Sequence, residues 1–293
     1  MAPSATSPYP QRDGAALEEV SDFVDEINVM KANIKAKEAR AANDEKARFD
    51  VEKDKTQFRN YLETNTKVYG LYKTQHEKQT VAFKFRTTTR AEMTVWEAME
   101  KLNTFIDESD PDTSLSQIEH LIQSAEAMRR DGKPRWMQVT GLVHDLGKLL
   151  FFYGAAGQWD VVGDTFPVGC AFSDKIVYPE TMKGNPDYDN PEYNTTYGIY
   201  EPGCGMDNIM LSWGHDEYLY HVFKDQSLLP DKALAMIRYH SFYPWHQQGA
   251  YTYFMNEKDH EMLEAVKDFN PYDLYSKSDE VPSVEELKVC NTP

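Results

Sequence analysis

Apolar residues recur at helical spacing along much of this chain, beginning with Leu17, Val20, Phe23, Val24, Ile27, Met30 and Ile34, which predict an amphipathic helix. The fifteen residues before it are rich in Pro, Ser and Ala and are expected to be disordered. From Lys35 to Lys55 charges alternate in sign with few large apolar residues, the pattern of a solvated helical face. A further helix is expected through Val68, Tyr69, Leu71, Tyr72 and His76. Thr94 with Glu97 three residues on reads as a capping box opening a helix from Val95 to about Ile106. The acids and proline of Asp107-Glu108-Ser109-Asp110-Pro111-Asp112 force a loop. Helices are predicted again around 118–128 and 136–150, the second with Trp136, Val139, Val143, Leu146 and Leu150 on one face.

Between Gly154 and Gly205 the periodicity disappears and glycine and proline become frequent, as in a functional covering loop or a short hairpin region. Helical signal returns at 210–222 and at 231–242, where Pro244 closes it. The expected fold is mainly α, a compact single domain with one long irregular stretch. Residues 1–50 form an N-terminal extension and residues 51–293 the catalytic domain.

The 293 residues are 41% hydrophobic, enough to bury a substantial core. The net charge of −17 disfavours a nucleic-acid partner, because polyanion binding needs a cationic surface, and leaves a neutral or cationic small substrate. Cys170, Cys204 and Cys290 are odd in number and lie at no zinc spacing, so reduced thiols are expected. Neither a secretory signal nor a long apolar run is evident, and the reading is a cytoplasmic protein with no membrane partner, acting as a monomer.

The densest chemistry lies in Gly141-Leu-Val-His144-Asp145-Leu-Gly-Lys148. An imidazole and a carboxylate side by side can hold a metal, and the second carboxylate oxygen can reach another, so the pair suits a two-metal centre. Lys148 follows at a spacing that projects it beside the pair, where an ammonium can stabilise an alkoxide formed from a metal-bound hydroxyl. Gly147 in a helical pattern points to close approach by another backbone or by a ligand. Of the eight histidines, His120, His144, His215 and His240 each lie in a predicted helix beside apolar residues, where a buried imidazole needs a partner. They are candidates for neighbours around metal, with Asp273 as a late carboxylate able to complete one shell.

Seven motifs in fixed order now acquire a collective meaning: Phe58-Arg-Asn-Tyr61, Asp107 to Asp112, Gly141 to Lys148, Val162-Gly-Asp-Thr-Phe-Pro-Val-Gly-Cys170, Ser212-Trp-Gly-His-Asp-Glu-Tyr218, His240-Ser-Phe-Tyr-Pro-Trp-His246 and Asp273-Leu-Tyr-Ser-Lys277. Together they resemble the myo-inositol oxygenase family from about Asp54 to Leu287. The resemblance implies an HD-domain helical fold around two iron ions in an Fe(II)/Fe(III) working state. One iron would take His120, His144, Asp145 and Asp273, and the other Asp145, His215 and His240. It further implies a substrate pocket of Arg59, Asp107, Glu108, Ser109, Lys148, Gly163, Asp164, His240, Ser241 and Lys277, with Lys148 and Asp145 as catalytic residues. The implied reaction converts myo-inositol and O2 to D-glucuronate and water, the first step of inositol catabolism, with O2 supplying all the oxidising equivalents. The first fifty residues differ from the shared core, and the family usually continues into an aromatic helix where this chain ends at Val289-Cys-Asn-Thr-Pro293. Two other readings remain: an HD-type metal-dependent phosphohydrolase, which would share His120, His144, Asp145 and Asp273 and activate water on a phosphate ester, and an inactive iron- or polyol-binding relative.

Overall fold

The computed structural model describes residues 89–107, 116–155, 157–163, 165–177 and 179–275. The predicted helices at 17–34 and 68–76, the charged run at 35–55, the boundary after residue 50, and Cys290 lie outside the described residues. So do Arg59, Glu108, Ser109, Asp164 and Lys277 of the expected pocket.

Seven α-helices follow among the described residues: α1 Val95–Leu102, α2 Gln117–Arg130, α3 Arg135–Val143, α4 His215–Gln226, α5 Asp231–Tyr239, α6 Tyr243–His246 and α7 Glu257–Tyr275. The capping box of Thr94 and Glu97 is present at the start of α1, but this helix ends at Leu102 rather than near Ile106. Asn103 turns out of it and uses its side-chain oxygen to accept the Ile118 N–H at 3.1 Å, so the chain is tied to the first turn of α2. A second capping box, Ser116 with Glu119, opens α2.

The helix expected over 136–150 is in fact two elements. α3 stops at Val143, the chain turns at His144 and Asp145, and Leu146–Tyr153 continue as a 3₁₀ segment. Its bonding changes to the tighter three-residue step, with the Lys148 N–H donating to the Asp145 carbonyl at 2.9 Å. α5 already ends at Tyr239, so Pro244 does not close it and instead sits at the start of the four-residue α6, where a missing N–H costs nothing. Among the described residues from 154 to 205 the helical elements are short 3₁₀ turns. Among the described residues the one trace of sheet pairing is an antiparallel bridge between Pro167 and Leu211.

α2 packs on α3, α4 on α5, α5 on α7, and the 3₁₀ segment on α4. One core joins α1, α2, the 3₁₀ segment and α4 through Met99, Leu102, Leu121, Leu150 and Leu219. A second joins α5, α6 and α7 to the irregular stretch through Cys170, Tyr239, Phe242, Trp245 and Val266. Met128, Met137, Met236, Phe269 and Tyr272 form a third patch where α2, α3, α5 and α7 meet. Each such fully buried large side chain contributes roughly 1.5–3 kcal/mol relative to exposure, so the helix ends carrying the histidines are held from several sides. No described helix is long and apolar enough to cross a membrane.

Candidate metal centre

Three of the four selected histidines occupy helix ends, where the chain can turn a ring inward without breaking the ladder: His144 just after α3, His215 opening α4 and His240 just after α5. His120 lies within α2, and Asp273 in the last turns of α7. The four rings meet in space. The His120 and His144 Nε2 atoms are 3.2 Å apart, and those of His215 and His240 are 3.1 Å apart. Asp273 Oδ1 lies 3.2 Å from His120 Nε2 and 3.1 Å from His144 Nε2.

Asp145 stands between the two pairs and turns a different oxygen to each. Its Oδ2 lies 3.5 Å from His120 Nε2 and 3.8 Å from His144 Nε2. Its Oδ1 lies 3.4 Å from His215 Nε2 and 3.6 Å from His240 Nε2. The ligand atoms of His120, His144 and Asp145, and separately those of Asp145, His215 and His240, each lie within 4.8 Å of one another. Asp145 is therefore common to two sets, the geometry that a bridging carboxylate requires.

Ring tautomers follow from what each Nδ1 touches. His144 Nδ1 is 2.9 Å from the Gly141 carbonyl, His215 Nδ1 2.9 Å from Val161 O, and His240 Nδ1 2.9 Å from Ile237 O. A carbonyl can only accept, so each Nδ1 carries the proton and each neutral ring points an Nε2 lone pair into the centre. Val161 O also accepts the His215 backbone N–H at 2.8 Å and so fixes both ring and helix start. Two lone pairs facing each other at 3.1 Å, as in His215 and His240, repel unless a cation lies between them. Metal–nitrogen bonds of about 2.1 Å at right angles put neighbouring ligand atoms roughly 3.0 Å apart, so these spacings suit metal ligation. The donor set fits the implied pair of metals.

The electrostatics agree. Burial would raise the Asp145 carboxyl, but the Lys148 ammonium and the surrounding imidazoles hold it well below the usual carboxylate range. Burial likewise opposes ionisation of Asp273, and His144 and His120 reverse it. Burial disfavours a proton on His240, yet the Asp145 hydrogen bond and the charge of Asp273 push its imidazole up to about 9. Two ionised carboxylates in one buried cavity thus draw positive charge onto a ring, a demand that a bound metal meets while leaving the ring neutral.

Lys148 reaches Asp145 Oδ2 at 2.9 Å and Asp107 Oδ2 at 3.1 Å. The predicted projection of Lys148 beside the pair is present, produced by the three-residue step of the 3₁₀ segment. Gly147 resolves the open choice between backbone and ligand: a Cβ there would meet His215 O at 1.9 Å. Ser241 Oγ lies 3.5 Å from His215 Nε2. Gly163 adopts φ 107°, a backbone conformation that favours glycine.

Of the remaining histidines, His221 pairs with Glu217 at 3.3 Å, and buried His246 donates from Nε2 to the His240 carbonyl at 3.0 Å. Cys170 and Cys204 are free thiols, as expected. Two supporting groups were not visible from sequence. Arg238 donates through Nε to Glu217 Oε2 at 2.7 Å, through Nη1 to Tyr239 Oη at 3.0 Å and through Nη2 to Ile209 O at 3.1 Å, locking α5 to α4 and to the irregular stretch. Thr165 donates its hydroxyl to Asp216. Both pairings join residues far apart in the chain, for which no local spacing gives a signal.

A family model described as myo-inositol oxygenase matches residues 65–291. The chain is 51% identical to "Inositol oxygenase 1" of Arabidopsis thaliana over 79% of its own length and 78% of the relative's. It is 46% identical to "Inositol oxygenase" of Danio rerio, covering 81% of this chain and 89% of that one. With "Inositol oxygenase" of Dictyostelium discoideum it shares 44% identity over 86% and 90%. With the matched motifs and the helical frame already described, these likenesses establish that the chain belongs to the myo-inositol oxygenase family.

Proposed function

We propose that this protein is an inositol oxygenase, an oxidoreductase that uses O2 to open the ring of myo-inositol and form D-glucuronate, in the cytoplasm and as a monomer. The observation that carries the reading is the double set of ligand atoms sharing Asp145, with Lys148 in contact with that same carboxylate. One iron would be held by His120, His144, Asp145 and Asp273, and the other by Asp145, His215 and His240. When bound, the iron pair supplies Lewis-acid and one-electron redox chemistry that no side chain of the protein offers.

The chain's own residues supply the rest. The carbonyls of Gly141, Val161 and Ile237 fix three rings in the ligating tautomer. Asp107 and Asp145 hold the Lys148 ammonium at the rim of the centre, where it stabilises the oxygen of a substrate hydroxyl as its proton leaves. Ser241, seven per cent exposed beside His215, supplies a hydroxyl that can both donate to and accept from a polyol. Arg59, Glu108, Ser109, Gly163, Asp164 and Lys277 complete the proposed polyol pocket by their places in the family motifs, offering charge of both signs to a ring whose every hydroxyl needs partners.

Metal replacement tests the reading. Iron-loaded, partially reduced protein is expected to form glucuronate from myo-inositol only in the presence of O2, and zinc-loaded protein to form none. Phosphate-ester hydrolysis by the zinc form, with no glucuronate from the iron form, would replace the oxygenase with the hydrolase.

A further inference from the structure

Thr165 lies in the irregular stretch between the 3₁₀ segment and α4 and is two per cent exposed. It makes two bonds to elements remote in sequence. Its hydroxyl donates to Asp216 Oδ2, and its backbone N–H donates to the Ser241 carbonyl at 3.0 Å. Asp216 directly follows His215, and Ser241 directly follows His240. One residue therefore ties together the two segments that present the His215 and His240 rings.

We propose that Thr165 is a positioning residue that sets the separation of His215 and His240 through Asp216 and Ser241. The inference rests on the two-metal reading given above. Asp216 is one per cent exposed and can only accept, so the direction of the hydroxyl bond is fixed. Its other oxygen takes the Glu217 N–H at 2.9 Å in the first turn of α4, where the helix end favours a carboxylate. Loss of the Thr165 hydroxyl removes a donor from a buried carboxylate, and Asp216 regains one only by shifting, which carries His215 with it. The next residue extends the tie: Ser212 N–H donates to Phe166 O at 2.7 Å, and Phe166 N–H to Ser212 Oγ at 3.2 Å. The His120, His144 and Asp273 half of the centre is built by α2, α3 and α7, and no bond of Thr165 reaches it. The consequence is asymmetric: a defect at Thr165 weakens one metal position and spares the other.

The test uses the full chain, with iron occupancy at each position read separately by anomalous scattering from crystals equilibrated at graded Fe(II) concentrations. For Thr165→Val, which keeps the shape and removes the hydroxyl, affinity at the His215 and His240 position is expected to fall about tenfold or more. Affinity at the His120, His144 and Asp273 position stays at the wild-type value, and Thr165→Ser restores both. Wild-type affinity at both positions in Thr165→Val, equal weakening at both, or a serine variant as weak as the valine one would overturn the proposal. Should the valine variant not fold, Asp216→Asn replaces it, with the same one-sided loss expected and an even loss counting against the proposal. Wild-type protein that binds fewer than two ions would instead refute the two-metal reading itself.

Discussion

Gly147→Ala probes how tightly the two halves of the centre are pressed together. A Cβ at this position would stand 1.9 Å from His215 O, 2.7 Å from His215 C and 3.0 Å from the Leu219 Cβ. Real Cβ atoms essentially never come closer than 3.0 Å to a neighbour, so the 3₁₀ segment and the start of α4 must part. Parting by about 1 Å far exceeds the roughly 0.2 Å tolerance of a metal–ligand distance, and it separates Asp145 from His215 directly. Gly147 does not occupy the left-handed region, so alanine gains about 0.4–1 kcal/mol by restricting the unfolded chain. Overpacking costs roughly 1–3 kcal/mol, and a Cβ pressed against backbone lies at the upper end of that range, which leaves a net loss of about 2–2.6 kcal/mol. At about 2–4 °C per kcal/mol for a domain of this size that is a fall in Tm of about 4–10 °C, measured by scanning calorimetry on metal-free protein. Iron analysis of the same variant is expected to show loss at the His215 and His240 position. A Tm within a degree of wild type together with full iron content would refute the reasoning.

Asp145→Ala removes the one group shared by both ligand sets, so iron content is expected to fall at both positions and turnover to vanish; retention of both ions, measured by elemental analysis, would contradict the bridging role. Lys148→Ala is expected to keep its iron and lose turnover, and a wild-type kcat would overturn the role given to the ammonium. Arg238→Met removes the guanidinium from the buried Glu217 carboxylate and is expected to cost about 3–5 kcal/mol in urea unfolding, most of it recovered in the double variant Arg238→Met with Glu217→Leu. Equal losses in the single and double variants would show that the ion pair is not the source of the effect.

What the sequence made legible divides by range. The Thr94 and Glu97 capping box and the body of α2 are written locally, in residues three or four apart, and they stand where the pattern puts them. The convergence of His120, His144, His215 and His240 had a local trace too, because a polar ring among apolar neighbours must find a partner. The break after Val143 had none. Its apolar spacing reads as one continuous helix, and the 3₁₀ segment that follows the break meets His215 O at Gly147, across a separation no periodicity records. The Arg238 to Glu217 lock and the Thr165 to Asp216 bond were invisible for the same reason. α7 carries only a weak apolar stripe, since residues such as Asp259, Asn270 and Asp273 are buried among its apolar ones. There a buried polar side chain blurs the pattern that would announce the helix.

The measurement that bears most directly on the central claim is O2 consumption by iron-loaded, partially reduced protein supplied with myo-inositol, with glucuronate assayed in the same vessel. The account predicts one glucuronate for each O2 consumed, with no other reductant drawn down. Bound iron at both positions with no uptake, or uptake without glucuronate, would contradict it.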